Sequence, residues 1–366
     1  MNNTRRKFLW SMGGAGLAAG VTGMLSVSSA IRTSGAVTDF HVHLFGVGDG
    51  GTGCWLSETQ KKHLNYGYLL SLLGLREGHI DEDYVERLVG QVRSSSIKKA
   101  VLQAWDCRYD EKGEPDWQKT TSAYVPNSYL LEVVAQHPDC FIPCASINPR
   151  RKDAIEELER CAAQGVKVIK IHPPTMDVDP ADSRFQGFYR HCAANRVIVM
   201  VHTGAEHSAD IVGVEFGALD KLVLALEQGC TVIAAHAGTA AFFDKEDFFP
   251  SLHPLLQRFP NLYFDTAVLA SMFRWRTLPR ILETPELLKR AVHGSDFPFP
   301  SNAMIFWNRI TPPKLAALLQ EQNLLERDYQ IKLALGMPRE VFERGDKLLA
   351  DAGLAERKPD SPAHER

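Results

Sequence analysis

VTDFHVHLFG, residues 37–46, is an apolar run with two histidines one residue apart near its end. In an extended chain successive side chains alternate faces, so His41 and His43 point one way and Val42 the other. A single rigid strand would then offer two imidazole nitrogens to one side of a metal ion. Two ordinary histidines at a strand end would look the same, so the meaning of the pair depends on the rest of the chain.

Seven more β-rich runs follow: residues 98–105 (KKAVLQAW), 141–147 (FIPCASI), 166–172 (VKVIKIH), 196–202 (RVIVMVH), 231–236 (TVIAAH), 261–266 (NLYFDT) and 290–296 (RAVHGSD). Their near-continuous apolar character suits strands buried on both faces, as in a parallel sheet. Amphipathic stretches separate them, and those at 151–165 and 217–229 end on a glycine just before the next strand, as helices stop. Eight such units predict an α/β fold, the (β/α)8 TIM barrel, over residues 37–350. A doubly wound sheet is the competitor, and it would open a helix directly on a glycine-rich loop after its first strand. FGVGDGGTG, residues 45–53, has the glycines but no helix opening on it, so it reads as a flexible loop. The connection 44–97 reads as a long insertion able to carry a lid, and the polar tail 355–366 as disordered.

The chain has 366 residues, 45% hydrophobic and 23% charged, with a net charge of −3. This balance leaves no basic surface for nucleic acid, and small molecules are the expected partners. A homo-oligomer stays open. At the N-terminus, residues 1–30 join Arg5 and Arg6 to a Gly/Ala-rich apolar stretch and small residues ending at Ala30. That order is a secretory signal, and TRRKFLW resembles the twin-arginine export type, implying a periplasmic address with the export machinery as a partner. A permanent anchor is the other reading. Five glycines between positions 13 and 23 make the run less apolar than a spanning helix, which favours cleavage and no stable membrane insertion. The seven cysteines are odd in number and form no CxxC pair, so they read as buried thiols.

The polar residues within the strand runs fall at one kind of place. His172 ends the fourth run, His202 the fifth, His236 the sixth and Asp296 the eighth, joining His41 and His43 on the first. In a closed barrel all these strand ends meet at one mouth. Alternation puts Ile198, Met200 and His202 on one face, and Val232, Ala234 and His236 on one face. Singly, each histidine is as readily a hydrogen-bonded structural residue, Asp296 a helix N-cap, and Lys170 an ion-pair partner. Jointly they point to a metal site.

DFHVH, IKIHPP, VHTG, AHAG and HGSDFP, in this order, resemble the amidohydrolase superfamily, and most of all its amidohydrolase-related branch of lactonases and metal-dependent decarboxylases. The resemblance runs from residue 37 to about 345, although ALGMPREVFERG lacks the Asn–Ala of the family's closing segment. It implies His41, His43, His202 and Asp296 as metal ligands, with Asp296 also taking a proton from water. It implies His236 as the residue that orients that water, or as ligand to a second metal together with Lys170 and His202. His172 joins Lys170 and His236 as a candidate catalytic group, able to polarise a carbonyl. One ion is the favoured reading, zinc first and manganese or iron as alternatives.

The activity implied is hydrolysis of a C–N or C–O bond in a small amide, lactone or ester. Decarboxylation of an aromatic or conjugated acid is the alternative, and a metal-binding barrel without catalysis a third reading. Asp39 is either a support for the first-strand ligands or a buried strand-start carboxylate. Trp105, Asn148 and Asp265 are candidate pocket residues. Arg274, Trp275 and Arg276 either hold an acidic or ring-bearing substrate or lie on a solvated helix face.

Overall fold

The computed structural model describes residues 37–354, so the signal expected at 1–30 and the tail expected at 355–366 lie outside the described residues. Eight strands form one sheet: β1 Val37–His43, β2 Ile97–Gln103, β3 Phe141–Ser146, β4 Val168–Ile171, β5 Ile198–His202, β6 Val232–Ala235, β7 Leu262–Asp265 and β8 Ala291–Val292. They pair in chain order, all parallel, as crossover helices between successive strands require. β8 is much shorter than its apolar run. Beyond Val292 the chain leaves the β7 ladder and turns to β1 instead: Phe40 N donates to His293 O at 2.9 Å, Asp296 N to His41 O at 2.9 Å, and His43 N to Phe297 O at 3.0 Å. These bonds, with a parallel bridge between Val42 and Phe297, close the barrel.

The helices form where the sequence is amphipathic. In Ala154–Ala163, Ala154, Leu158 and Cys161 share the buried stripe while the glutamates at 156 and 159 face out. Ile80–Arg93 opens with Asp81, Glu82 and Asp83 and closes with Arg93, matching the helix dipole at both ends. That helix lies within the long connection between β1 and β2 and is the first barrel crossover. Within that connection, Trp55–Leu56 pairs antiparallel with Ala123–Tyr124 from the β2–β3 connection. The glycine-rich loop is also held rather than loose. Gly48 N donates to Asp81, and Asp49 accepts from Ile80 N at 2.7 Å and Asp81 N at 3.1 Å.

Inside the barrel Val101, Val168, Ile198, Met200 and Ile233 pack together, and Leu348 and Leu349 of the last helix, Arg339–Asp351, join them with Ala352 just beyond its end. That helix plugs the end where the strands begin. Gly345 lets it approach, since a Cβ there would stand 2.8 Å from the Phe40 ring. All seven cysteines are free and buried. Among the described residues no helix is long and apolar enough to cross a membrane.

One buried ion pair holds the strand-eight segment in place. Lys332, fully buried, bonds Asp328 at 2.5 Å and the Gly294 carbonyl at 2.7 Å. Lys332→Met would strand the Asp328 charge in an apolar setting and should lower stability by about 3–5 kcal/mol in urea unfolding. The double variant with Asp328→Leu, which removes both charges, should recover most of that loss.

Candidate metal centre

His41 and His43 leave the end of β1 toward the rim, and the closing bonds between β1 and the strand-eight segment set Asp296 against them. His41 Nε2 lies 3.3 Å from His43 Nε2 and 3.1 Å from Asp296 Oδ1, and His43 Nε2 lies 3.2 Å from the same oxygen. His41 has no exposed surface, and the His43 side chain keeps 14%. Asp265, at the end of β7, accepts from His236 N and Ala267 N with Oδ1 and lies 2.7 Å from His41 Nδ1 with Oδ2. The network therefore assigns the His41 proton to Nδ1 and leaves the Nε2 electron pair facing His43, Asp296 and Lys170 Nζ, which lies 3.1 Å away.

Three electron-pair donors this close repel one another unless a proton or a cation lies among them. Bonds of about 2.0–2.1 Å to a tetrahedral zinc give ligand separations of about 3.3 Å. The observed 3.1–3.3 Å spacings fit a metal of that size. The protonation states fit as well. Burial pushes the His41 imidazolium well below the ordinary histidine range, with Lys170 adding to the effect. Burial does the same to His202 and His236. Burial alone would raise Asp296, but His41, His43 and Lys170 outweigh it and hold the carboxyl below its usual value. Neutral imidazoles beside an ionised carboxylate are the ligand forms a metal takes.

The other expected residues fall into two groups. Lys170 contacts this set directly, with Nζ 3.1 Å from His41 Nε2. His202 stands elsewhere. Its donor atom groups with His172 and Glu206, apart from His41, His43 and Asp296. His236 lies between the two groups, its ring 4.8 Å from that of His41 and 4.7 Å from that of His202. Strand alternation misplaces His236. Val232 and Ala234 pack outward against the helices, while Ile233 and Ala235 face the barrel interior. β6 stops at Ala235, and His236 adopts φ 62°, a left-handed turn that brings its ring to the mouth.

Several candidate pocket residues are structural. Asn148 spends its side-chain N–H groups on Cys107 O and Met176 O. Arg274 is buried rather than on a solvated face, and its guanidinium bonds the carbonyls of Ala205 and Thr239. Asp39 clamps backbone, accepting from His41 N at 3.0 Å and Ser295 N at 2.9 Å, and burial pushes its carboxyl up to about 7. Trp105 does face the site. Its ring is 4.5 Å from His172 and 5.5 Å from His43, and its buried Nε1 has no hydrogen-bond partner. Sequence reasoning overlooked Glu206, which lies in an irregular loop whose only signal is its place four residues after His202.

Asp265→Asn keeps the shape but offers His41 Nδ1–H a weaker, uncharged acceptor. Metal affinity, read by competition with a chromogenic chelator, should fall about 10–100-fold, while the thermal midpoint changes little.

The family profile described as amidohydrolase matches residues 108–315. An uncharacterised TIM-barrel protein from Bordetella bronchiseptica is similar over 87% of this chain and 99% of its own, at 16% identity and a TM-score of 0.60. A candidate 2-pyrone-4,6-dicarboxylic acid hydrolase from Pseudomonas putida is similar over 86% and 97%, at 15% identity and a TM-score of 0.52. A 5-carboxyvanillate decarboxylase from Novosphingobium aromaticivorans, solved with manganese, is similar over 86% and 96%, at 13% identity and a TM-score of 0.49. At these identities the likeness establishes the fold alone. No curated protein matches the sequence.

Proposed function

The chain belongs to the amidohydrolase family, and on that premise we propose that it is a divalent-metal-dependent hydrolase of a C–N or C–O bond in a small molecule. The observation that carries this reading is the meeting of His41, His43 and Asp296 within 3.1–3.3 Å at the barrel mouth, with His41 oriented by Asp265. When bound there, a divalent cation supplies hydroxide from water near neutral pH and positive charge for a carbonyl oxygen. Zinc suits the donors, with manganese and iron as alternatives.

The chain's own residues do the rest. Asp296, held ionised, accepts the proton of the attacking water and returns it to the leaving group. Lys170 lies buried with Nζ 3.1 Å from His41 Nε2, where burial lowers its pKa and Asp265 and Asp296 oppose that effect. The Trp105 N–H, without a protein partner, is available to a substrate oxygen. Burial of His41, His172, His202 and His236 excludes bulk water and strengthens each of these interactions.

Chelation should abolish turnover, and added zinc or manganese should restore it. Asp296→Asn should lower kcat by about 100–10,000-fold. The panel to screen is lactones, amides and aromatic acids in ¹⁸O-labelled water. Label in the product supports the proposal, whereas carbon dioxide release without label would overturn it in favour of decarboxylation.

We also propose export through the twin-arginine route, which Arg5, Arg6 and the Gly/Ala-rich stretch after them support. Arg5→Lys with Arg6→Lys should leave the protein in the cytoplasmic fraction, and unchanged periplasmic recovery would count against this route.

A further inference from the structure

We infer that Gln103 and Trp105 recognise a primary or cyclic amide, so that the protein selects C–N over C–O substrates. The inference rests on the hydrolase reading and narrows it to one substrate class. The two residues stand two positions apart, Gln103 at the end of β2 and Trp105 just beyond it. Val101 packs in the barrel interior while Leu102 and Ala104 pack outward against the helices, so alternation turns Gln103 inward. Trp105 lies on that same inner side, its ring 5.5 Å from His43 and 4.5 Å from His172. Gln103 is the neighbour of His43 in the β1–β2 register, which sets it beside the candidate metal centre.

Each residue is held by some of its atoms and leaves one polar atom without a partner. The Gln103 side chain is fully buried, and its Nε2 donates to Met200 Sδ at 3.1 Å. A thioether has no proton to give, so the amide nitrogen and not the oxygen faces it. Oε1, an acceptor, is left buried and unpartnered. Trp105 is pinned through its backbone, its N donating to Val125 O at 3.2 Å and its carbonyl accepting from Val125 N at 2.7 Å. Its Nε1, a donor only, is also buried and unpartnered. One face of one chain segment thus offers a donor and an acceptor that no described residue uses.

A purely structural role does not account for the pair, because a buried donor or acceptor left unmade is costly and calls for a partner. Same-face residues on an extended chain stand about 6.6 Å apart. A planar group with its own acceptor and donor on one edge, flanked by two hydrogen bonds of about 2.9 Å, fills such an interval. A primary amide or a lactam is such a group. Its carbonyl oxygen accepts from Trp105 Nε1, and the N–H on the same edge donates to Gln103 Oε1. An ester or lactone offers the carbonyl but no proton, and binding it would leave Gln103 Oε1 buried and unsatisfied. A site built this way rejects the analogue that lacks one hydrogen-bonding group. Both protein groups are neutral, which suits an uncharged amide over a carboxylate.

The test is ligand binding followed on the Trp105 indole N–H resonance of zinc-reconstituted full-length protein labelled with ¹⁵N-tryptophan. The resonance is identified by its loss in Trp105→Phe. Two shape-matched pairs serve as probes, benzamide with acetophenone and 2-piperidone with cyclohexanone; each ketone keeps the carbonyl and lacks the N–H. Both members of a pair should shift the resonance, and the amide should bind about 10–100-fold more tightly. Gln103→Met, similar in shape but without the acceptor, should erase most of that preference. Met200→Leu, which removes the anchor of the Gln103 amide, should reduce it as well. It serves as the reporter if Gln103→Met lowers the thermal midpoint. Equal affinity within each pair overturns the inference, as does a preference that survives Gln103→Met, or a resonance that neither amide moves. An amide preference that depends on Gln103, in a protein that hydrolyses no amide, would sustain this recognition pair and sink the hydrolase reading instead.

Discussion

Everything at the mouth depends on how the last strand segment meets the first. The bonds from Phe40 N to His293 O, from Asp296 N to His41 O and from His43 N to Phe297 O join stretches some 250 residues apart. They satisfy N–H groups that a barrel open at this edge would leave buried and unpaired. The same three bonds set the register that puts Asp296 beside His41 and His43. A slip of one residue would turn that carboxylate to the opposite face. Asp39 reinforces the join from the β1 side by taking Ser295 N, and Lys332 does so from behind by taking Gly294 O. Closing the fold and assembling the site are one event.

The rim is built with stored backbone cost. His236, Ala237 and Asp296 all adopt positive φ without being glycine. Each such residue costs about 1–2 kcal/mol, which the surroundings must over-determine. Here the surroundings are visible: Asp265 takes His236 N, and the His41 carbonyl takes Asp296 N. The electrostatics run the same way. Asp296 and Glu206 are held ionised, burial pushes Asp265 up, and the buried cations facing them are Lys170, Arg274 and Lys332. Buried carboxylates and imidazole electron pairs gathered this closely are costly. A divalent cation would lower that cost.

The barrel was legible because its strands are buried on both faces and so read as unbroken apolar runs. The rim residues were legible because a strand end is a place in sequence as well as in space. What resisted reading was whatever depends on leaving the strand. His236 escapes the period of two through one left-handed residue. Glu206 sits in a loop with no period, fixed by hydrogen bonds to its own successors. The glycine loop looked loose because its anchors, Asp49 and Asp81, are acidic residues pinning backbone N–H groups, a role that leaves no pattern. Asp265 was visible as a residue but not as the partner of His41, a contact across 224 positions.

Arg274 shows why charge near a pocket is a poor guide to substrate. It follows β7, where a cation facing an acidic ligand would be sought, yet its planar fork spans the Ala205 and Thr239 carbonyls and ties together the loops after β5 and β6. Ala205 immediately precedes Glu206, so this bond places the carboxylate against His172 and His202. Lysine, a point charge on a flexible stem, could not bridge two carbonyls with comparable rigidity. Burial pulls the guanidinium down, and Glu206, Asp296, Asp244 and Asp265 pull it back. Its charge is therefore already divided among the acids of the mouth. Those contacts occupy both arms of the fork, so this guanidinium acts as a tie between loops.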